Sequence, residues 1–230
     1  MKNLAIIPAR GGSKRIPGKN IKAFLGKPII AYSIEAALKS GLFDEVMVST
    51  DDETIAEMAK KYGAKVPFLR SPKNADDFAT TADVLVEVID EYKRIDKHFA
   101  MACCLYPTAP FVTPLQLQNA HSRMIDEELD SIYPVVPFSY PIQRALRIND
   151  GRLGFINPEF ANSRSQDLQK AFMDAGQFYF FKVDAFLKSK SLLLAKTGAM
   201  IISELAAQDI DNEVDWQLAE MKYKLIHKQD

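Results

Sequence analysis

Short apolar runs of strand length alternate with helical patterns along most of this chain, and this alternation constrains the fold more than any other feature. The predicted strands are residues 4–7, 45–49, 66–69, 100–105, 131–136 and 178–181. The predicted helices run from Pro28 to Gly41, from a capping box of Thr50 and Glu53 to Gly63, and over 82–92, 114–125 and 212–226. Alternating strands and helices pair their strands in parallel through right-handed crossovers. We therefore expect a three-layer, Rossmann-like α/β sandwich with a mostly parallel sheet.

The alternation stops between residues 137 and 172. This stretch is more polar than its surroundings and contains the turn Asn149-Asp150-Gly151, which predicts a hairpin. We interpret the chain as one domain over residues 1–230, with residues 137–172 inserted as a flap. The last helix has Val214, Leu218, Met221 and Leu225 on one face, which is typical of a face that packs on a core.

Composition excludes several classes of protein. The 29 basic and 30 acidic side chains give a net charge of -1, which argues against a dedicated nucleic-acid binder. No apolar run is long enough to predict a membrane span, and the apolar run near the N-terminus is shorter than that of a secretory signal. Cys103 and Cys104 are adjacent within a predicted buried strand, so we expect reduced cysteines and a cytoplasmic protein.

Charge is distributed unevenly along the chain. Residues 1–34 contain seven basic side chains and no acidic one, whereas residues 197–221 contain six acidic side chains and no basic one. Soluble surfaces usually mix the two signs. Either the two blocks attract each other within the fold, or an anion and its metal counter-ions lie between them.

A glycine-rich basic loop follows the first predicted strand, where residues 8–20 read PARGGSKRIPGKN. Successive backbone amides near glycines can hold an anion, and Arg10, Lys14 and Lys19 add positive charge. The carboxyl end of such a strand is where α/β sheets bind ligands. The spacing matches neither a Walker A loop nor a dinucleotide fingerprint, so the pattern favours an anion site without excluding a flexible turn.

Asp209 and Asp211 are the candidate metal ligands. They are two residues apart, so an extended segment would point both carboxylates to the same side. Two carboxylates together with phosphate oxygens are typical ligands of Mg²⁺. In the alternative interpretation, Asp211 or Asn212 only caps the last helix, with Asp215 in its first turn.

Five segments, in order, resemble the motifs of one enzyme family. They are residues 6–20 (IIPARGGSKRIPGKN), 49–52 (STDD), 70–81 (RSPKNADDFATT), 105–110 (LYPTAP) and 209–216 (DIDNEVDW). Together they resemble the CMP-nonulosonic acid synthetases, or acylneuraminate cytidylyltransferases, which activate nonulosonic acids with CTP. The resemblance covers nearly the whole chain. It implies a nucleotide-diphospho-sugar transferase type of fold, Mg²⁺ as cofactor and a homodimer formed through the flap.

The resemblance also implies the roles of individual residues. Arg10, Lys19 and Asp211 are expected to be catalytic, and Asp209 and Asp211 to bind the metal. The expected nucleotide-binding residues are Arg10, Gly11, Gly12, Ser13, Lys14, Lys19, Asn20, Arg70, Asp77 and Thr81. The expected sugar-binding residues are Tyr106, Gln143, Arg144, Asp174, Gln177 and Tyr179.

Two departures from the sialic acid pattern bear on the sugar. Tyr106 stands where the sialic acid enzymes usually have Gln, and Ala175 where they usually have Asn. Both remove a side-chain amide, and polar pockets discriminate strongly against a mismatched partner. These departures count against sialic acid. Residues 140–145 (YPIQRA) and 173–179 (MDAGQFY) resemble the sugar-pocket segments of the family members that use pseudaminic acid, so the resemblance favours that sugar, with sialic or legionaminic acid as alternatives. A more distant alternative, a non-catalytic nucleotide-binding module, would not need the acid pair.

Overall fold

A computed structural model describes residues 2–227 of the chain. Its strands are β1 (Asn3–Pro8), β2 (Ala23–Phe24), β3 (Lys27–Pro28), β4 (Glu45–Ser49), β5 (Met101–Leu105), β6 (Ser131–Pro137), β7 (Leu146–Asn149), β8 (Arg152–Phe155), β9 (Phe172–Asp174), β10 (Phe178–Lys182) and β11 (Thr197–Ile201). Its α-helices are α1 (Ile29–Ser40), α2 (Glu53–Lys61), α3 (Thr81–Arg94), α4 (Pro114–Asp126), α5 (Val183–Ser189) and α6 (Glu213–His227). None of the helices described here is both long and apolar enough to cross a membrane.

The described strands form a seven-stranded central sheet in the order β11-β6-β10-β5-β1-β4, with β9 added beside β6. Strand β1 is parallel to both β4 and β5, and β11 is parallel to β6. Strand β10 is antiparallel to both of its neighbours, and β9 is antiparallel to β6. The expected mostly parallel α/β sheet is confirmed, with these two reversed strands as the exceptions.

Helices cover both faces of the sheet, because successive side chains of each strand point to opposite sides. Ala5 and Ile7 of β1 pack in a core cluster that includes residues of α1, α2 and α4. Leu4 and Ile6 pack in a second cluster that includes residues of α3 and α5. The unbroken apolar run of residues 4–7 in this strand is thus explained by burial on both faces.

Two local predictions are wrong. The capping box of Thr50 and Glu53 does not form, because α2 begins later and is capped by Asp52, whose Oδ1 accepts from the Ile55 amide at 3.1 Å. Thr50 instead accepts a hydrogen bond from the Asp52 amide. Residues 66–69 do not form a strand, and only an isolated bridge joins Met47 to Lys65. Pro67 has no amide hydrogen to donate to a ladder at that point.

The flap stretch contains the predicted hairpin, in which β7 and β8 pair in antiparallel register around Asp150 and Gly151. Both turn residues have positive φ, 49° and 74°, as a tight two-residue hairpin turn requires. Large apolar side chains of this stretch are exposed in the single chain, including Tyr140 (84%), Ile148 (72%) and Leu153 (70%).

Helix α6 packs through a different face from the one the sequence suggests. Val214, Leu218, Met221 and Leu225 are all exposed. The buried positions are Trp216 and Ala219, which lie in a third core cluster with Phe24 and Ile210. The indole ring of Trp216 lies edge-on to Phe24 at 5.7 Å, so the largest side chain of the helix determines which face turns inward.

Candidate active site

A cleft of about 500 Å³ opens at the carboxyl ends of β1 and β5. Sequence positions more than 200 residues apart meet there, because the parallel strands end at the same edge of the sheet. The predicted site residues that line this cleft are Arg10, Ser13, Lys14, Lys19, Asn20, Arg70, Asp77, Thr81, Tyr106 and Asp211.

The glycine loop is held in place by polar contacts at both ends. The Gly11 amide donates to Asp51 Oδ1 at 3.0 Å, and the buried Asn20 donates from Nδ2 to the Arg10 carbonyl at 2.9 Å. A Cβ at position 11 would lie 2.8 Å from Asp52 Oδ2, closer than real Cβ contacts, so a larger residue there would displace the side chain of Asp52, which caps α2. Gly12 has open space around it, which leaves its backbone accessible from the solvent side.

Two cations of the loop are paired with one carboxylate. Arg10 Nη1 donates to Asp77 Oδ1 at 2.9 Å, and Lys14 Nζ pairs with the other oxygen of the same carboxylate. The hydrogen bond from Lys14 holds the pKa of Asp77 below its usual range. Arg10 also donates to the Asp76 carbonyl at 2.9 Å. The cations that the sequence assigns to an anionic ligand therefore already contact an internal anion.

Arg70 is a buried cation rather than the surface charge that a single arginine usually is. Its side chain donates to Ser49 Oγ at 3.1 Å and to the Ser49 carbonyl at 2.5 Å. Burial lowers the pKa of its guanidinium, although Asp51 and Glu87 lie near enough to oppose that shift. Arg70 thereby fixes the end of β4 and brings positive charge to the floor of the cleft.

Lys19 connects the glycine loop to the acidic segment near the C-terminus. Its Nζ donates to the carbonyl of Ile210, between the two candidate metal ligands. Burial lowers the pKa of Lys19, and the nearby carboxylates of Asp211 and Asp209 oppose that shift. The predicted attraction between the basic and acidic blocks is thus present, and Lys22 with Glu213 (2.7 Å) adds a further ion pair.

The cap of α6 is made by Asn212, as the capping interpretation allowed, and this cap leaves the carboxylates of Asp209 and Asp211 without a capping role. Asn212 Oδ1 accepts from the amides of Val214 and Asp215, and Asp215 Oδ2 accepts from the amides of Asp211 and Asn212. The carboxylate of Asp211 is not used in the cap. It lies in the cleft, 2.7 Å from Arg15 Nη1.

The carboxylate of Asp209 is exposed and makes no hydrogen bond or ion pair within residues 2–227. Within those same residues, no three acidic, cysteine or histidine side chains cluster as a complete protein-only metal site. Two carboxylates that leave further positions to phosphate oxygens and water suit Mg²⁺, which keeps several waters of its own. The donor set therefore fits the expected cofactor.

Four of the expected sugar-side residues, Tyr106, Asp174, Gln177 and Tyr179, lie at or near the cleft, and the two tyrosines pack against each other. Tyr106 lies 5.4 Å from Tyr179 between ring centroids, and its hydroxyl is 3.4 Å from Thr81 Oγ1. Tyr179 donates its hydroxyl to Asp174 Oδ2 at 2.8 Å. Gln177 is 2% exposed, and its amide donates to the Ala206 carbonyl while its Oε1 has no partner among the described residues.

Gln143 and Arg144 lie apart from the cleft, in the flap. Gln143 Nε2 donates to the Gln169 carbonyl at 2.8 Å, and Arg144 Nη1 is 3.4 Å from Ser165 Oγ. Both contacts are within the flap. In the single chain, therefore, the structure does not bring these two residues together with the other predicted site residues.

Two further side chains contribute to the cleft and are not predicted as site residues by the sequence. Arg15 lies in the basic glycine loop, which is the one signal the sequence offers for it, and its pairing with Asp211 depends on the tertiary fold. Glu87 lies on α3 and accepts from the Ser71 amide at 2.6 Å. Nothing in its sequence context marks it, since a glutamate on a helix is usually solvated.

Comparisons with known proteins identify the family of the chain. The profile of a cytidylyltransferase family matches residues 4–150. A pseudaminic acid cytidylyltransferase of Campylobacter jejuni is 44% identical over 229 residues, which is 99% of both chains. A CMP-N,N'-diacetyllegionaminic acid synthase of Legionella pneumophila is 33% identical over 98% of this chain and 97% of its own.

A solved structure of CMP:2-keto-3-deoxy-manno-octonic acid synthetase, complexed with CTP, has the same fold. It superposes with a TM-score of 0.71 at 19% identity and covers 99% of this chain and 100% of its own. The family profile spans well over half of the sequence, and the relatives match almost end to end. The chain belongs to the cytidylyltransferase family.

Proposed function

We propose that this protein transfers the CMP group of CTP to a nonulosonic acid, with pseudaminic acid as the preferred sugar. The observation that carries the proposal is the contact of Lys19 with the segment that bears Asp209 and Asp211. It brings the cationic glycine loop next to an acid pair, of which Asp211 lines the cleft and Asp209 lies near enough to Lys19 to oppose the lowering of its pKa. An anionic nucleotide with its divalent counter-ion requires both kinds of group. A binding module without catalysis would not need the acid pair.

In the proposed reaction, the anomeric hydroxyl of the sugar attacks the α-phosphorus of CTP in line. A new oxygen–phosphorus bond forms, the bond to the pyrophosphate oxygen breaks, and the hydroxyl proton is released. Such reactions depend on positioning and on stabilising charge rather than on a covalent intermediate. Arg10 and Lys19 are assigned to charge on the triphosphate, with the backbone amides of residues 11–14 around it.

Mg²⁺ would be held by Asp209 and Asp211 together with phosphate oxygens, and when bound it supplies positive charge at the triphosphate. Because Lys19 contacts the backbone between these two residues, it also holds the acid pair close to the glycine loop. Asn20 in turn holds the Arg10 carbonyl, so the cationic and acidic parts of the cleft are joined through one short segment.

The sugar is assigned to the side of the cleft formed by Tyr106, Asp174 and Tyr179. Support for pseudaminic acid comes from the 44% identical relative of that name and from the absence of side-chain amides at positions 106 and 175. Gln143, Arg144 and Gln177 are kept as sugar-side candidates. The first two reach a cleft only if the flap of another copy contributes to it.

We also propose a homodimer formed through the flap. Its exposed apolar residues, among them Tyr140, Ile148 and Leu153, are more than a solvated hairpin needs. Sedimentation velocity of the wild type and of Ile148→Asp tests this assignment, with a dimer expected for the former and a monomer for the latter. The free, buried state of Cys103 and Cys104 supports the cytoplasm as the place of action.

The deciding experiment measures pyrophosphate release from CTP with pseudaminic, legionaminic and N-acetylneuraminic acids. We expect kcat/KM for pseudaminic acid to exceed that for N-acetylneuraminic acid by about 10²-fold or more. Omission of Mg²⁺ should abolish turnover. Equal rates with the sugars would favour a sialic acid enzyme, and no release with any of them would favour the binding module.

A further inference from the structure

The segment Ser71–Thr80 forms one wall of the cleft. Side chains from this segment that line the cleft are Asn74, Asp76, Asp77, Ala79 and Thr80. It contains no strand, and its regular structure is one 3-10 turn at Pro72–Asn74. Few backbone hydrogen bonds therefore fix its position relative to the sheet, and side chains have to do so.

Near its tip, the segment contacts the glycine loop. Arg10 and Lys14 pair with the carboxylate of Asp77, and Arg10 donates to the Asp76 carbonyl. The proposed function requires these same cations to face a triphosphate. Since a side-chain cation that moves to a phosphate no longer holds Asp77, the contacts at the tip weaken when the nucleotide is bound.

At its base, the segment is held by the carboxylate of Glu87, which lies on α3 outside the cleft. Glu87 Oε1 accepts from the Ser71 amide at 2.6 Å, and Oε2 accepts from Ser71 Oγ at 2.9 Å and from Asn74 Nδ2. Hydrogen bonds to a charged acceptor are stronger than neutral ones. None of these three donor groups belongs to a residue assigned to the triphosphate, so we expect their contacts with Glu87 to persist when the nucleotide is bound.

The base contacts also connect to the floor of the cleft. Arg70 precedes Ser71 directly and is fixed by its hydrogen bonds to Ser49 and by its own amide, which donates to the Thr50 carbonyl at 2.8 Å. Glu87 lies close enough to Arg70 to favour its charged form. The carboxylate thus holds the segment directly after Arg70, which is itself bonded to residues at the end of β4.

From this arrangement we propose that Glu87 is a positioning residue for the nucleotide, which holds the wall Ser71–Thr80 in place after Arg10 and Lys14 have turned to the triphosphate. The inference rests on the proposed function and deepens it. Glu87 does not touch the nucleotide in this assignment, so it acts equally on bound substrate and on the transition state. Its removal should therefore raise the KM for CTP more than it lowers kcat.

The test compares Glu87→Gln with Glu91→Gln, which lies one turn further along the same helix and pairs with Arg94 on the surface. Calorimetry with CTP alone and steady-state release of pyrophosphate are both measured. For Glu87→Gln we expect Kd and KM for CTP to rise about tenfold, with kcat within about twofold and the sugar KM unchanged. Glu91→Gln should match the wild type.

A smaller substitution keeps the test decisive if Glu87→Gln does not fold. Ser71→Ala removes one donor to the carboxylate and should raise the KM for CTP about threefold. When the two changes are combined in a folded protein, the rise should be smaller than the product of the single effects, because both act on one contact. A simple product would overturn the assignment.

The positioning role would be overturned if Glu87→Gln bound CTP within twofold of the wild-type affinity. If only Ser71→Ala folds, the same criterion applies to that variant. An equal loss of CTP affinity in Glu91→Gln would also overturn the role. A lower Tm with unchanged KM identifies a purely structural role. Failure of the proposed function gives a different result, in which the wild type binds CTP but releases no pyrophosphate. The CTP affinities of the wild type and the variants can then still be compared by calorimetry.

Discussion

Arg10 and Asp77 lie 2.9 Å apart, and their ion pair occupies the region of the cleft that an anionic ligand would need. Lys14 pairs with the same carboxylate, so one internal anion contacts two of the three loop cations named by the sequence. A triphosphate entering this cleft has to compete with Asp77. Substitution of a residue in a binding site usually weakens ligand binding, whereas the loss of the Asp77 carboxylate should strengthen the binding of an anion.

Asp77→Asn should strengthen the binding of inorganic tripolyphosphate in the absence of metal and sugar. The neutral amide competes less for Arg10 and Lys14, and exposed ion pairs are weak, so we expect a gain of about two- to fivefold in affinity. Calorimetry measures it directly. Asp167→Asn removes a comparable exposed partner from Arg164 in the flap and should have no effect. Weaker binding by Asp77→Asn would contradict this competition and support the expectation from the sequence that Asp77 itself binds the nucleotide.

Asp211→Asn should abolish most turnover while leaving the Tm close to that of the wild type. The carboxylate lies in the cleft and takes no part in the helix cap, so its loss removes a proposed Mg²⁺ ligand. We expect a loss of about 100-fold or more in kcat, typical for removal of a group that stabilises reacting charge. Pyrophosphate release and thermal unfolding are measured on the same preparation.

Asn212→Ala is the matched control for Asp211→Asn. It removes the side chain that caps α6, which should cost about 1 kcal/mol of stability and leave turnover largely intact. The reverse pattern, a stable inactive Asn212→Ala and an active, less stable Asp211→Asn, would place the metal elsewhere.

Lys19→Ala should also lose activity, by about 2–4 kcal/mol in transition-state free energy, because a charged contact to phosphate at a half-buried site is removed. We expect Arg10→Ala to behave similarly. The exposed Lys60, at the end of α2, provides a substitution of the same kind far from the cleft. Wild-type kcat/KM in Lys19→Ala would contradict the assignment of the loop.

Tyr179→Phe should affect the sugar and spare the nucleotide. The hydroxyl donates to Asp174 Oδ2 at 2.8 Å. Among residues 2–227, its loss leaves the Gly176 amide, at the other oxygen, as the one remaining donor to the Asp174 carboxylate. We expect the sugar KM to rise about three- to tenfold with an unchanged KM for CTP. Tyr133→Phe is the control, since the Tyr133 ring packs on Tyr179 at 5.3 Å and its hydroxyl has no partner within residues 2–227.

Glu45→Gln should change how stability depends on pH. Burial opposes ionisation of Glu45, but hydrogen bonds from Lys97, Tyr92 and Lys65 outweigh it, so its pKa lies below the ordinary 4.5. A carboxylate with a depressed folded-state pKa contributes stability above its unfolded-state value and loses it as the pH falls through the folded-state value. The Tm of the wild type should therefore decline below about pH 4.5, and that of the variant less steeply.

At neutral pH the same substitution should cost about 1–3 kcal/mol, since three donors lose a charged acceptor. Thermal unfolding between pH 3 and pH 7 measures both effects. Glu57→Gln, on the exposed side of α2, should follow the wild type over that range. Parallel curves for Glu45→Gln and the wild type would show that Glu45 does not contribute to acid sensitivity.

The sequence alone determined the layered fold and the glycine loop. Apolar runs such as residues 4–7 and 100–105 identify strands buried on both faces. Successive side chains of a strand point to opposite faces, so a run without polar residues has no face suited to solvent. Because the strand at residues 4–7 could be identified, the loop at residues 8–20 could be placed at its carboxyl end. Strand β11 and the reversal of β10 could not be predicted, since pairing direction depends on the connection and on neighbouring strands.

Only the tertiary structure decided which charges meet. The sequence shows a basic and an acidic block, but not that Arg15 pairs with Asp211 or that Lys19 donates between the two acids. It also gave no sign that Glu87 supports the wall of the cleft. These contacts join residues that are 16 to 196 positions apart in the sequence. The helix and strand propensities of neighbouring residues carry no information about contacts over such sequence separations. Burial of Trp216 likewise decided the orientation of α6, because packing volume against Phe24 outweighed the apolar stripe that the sequence displays.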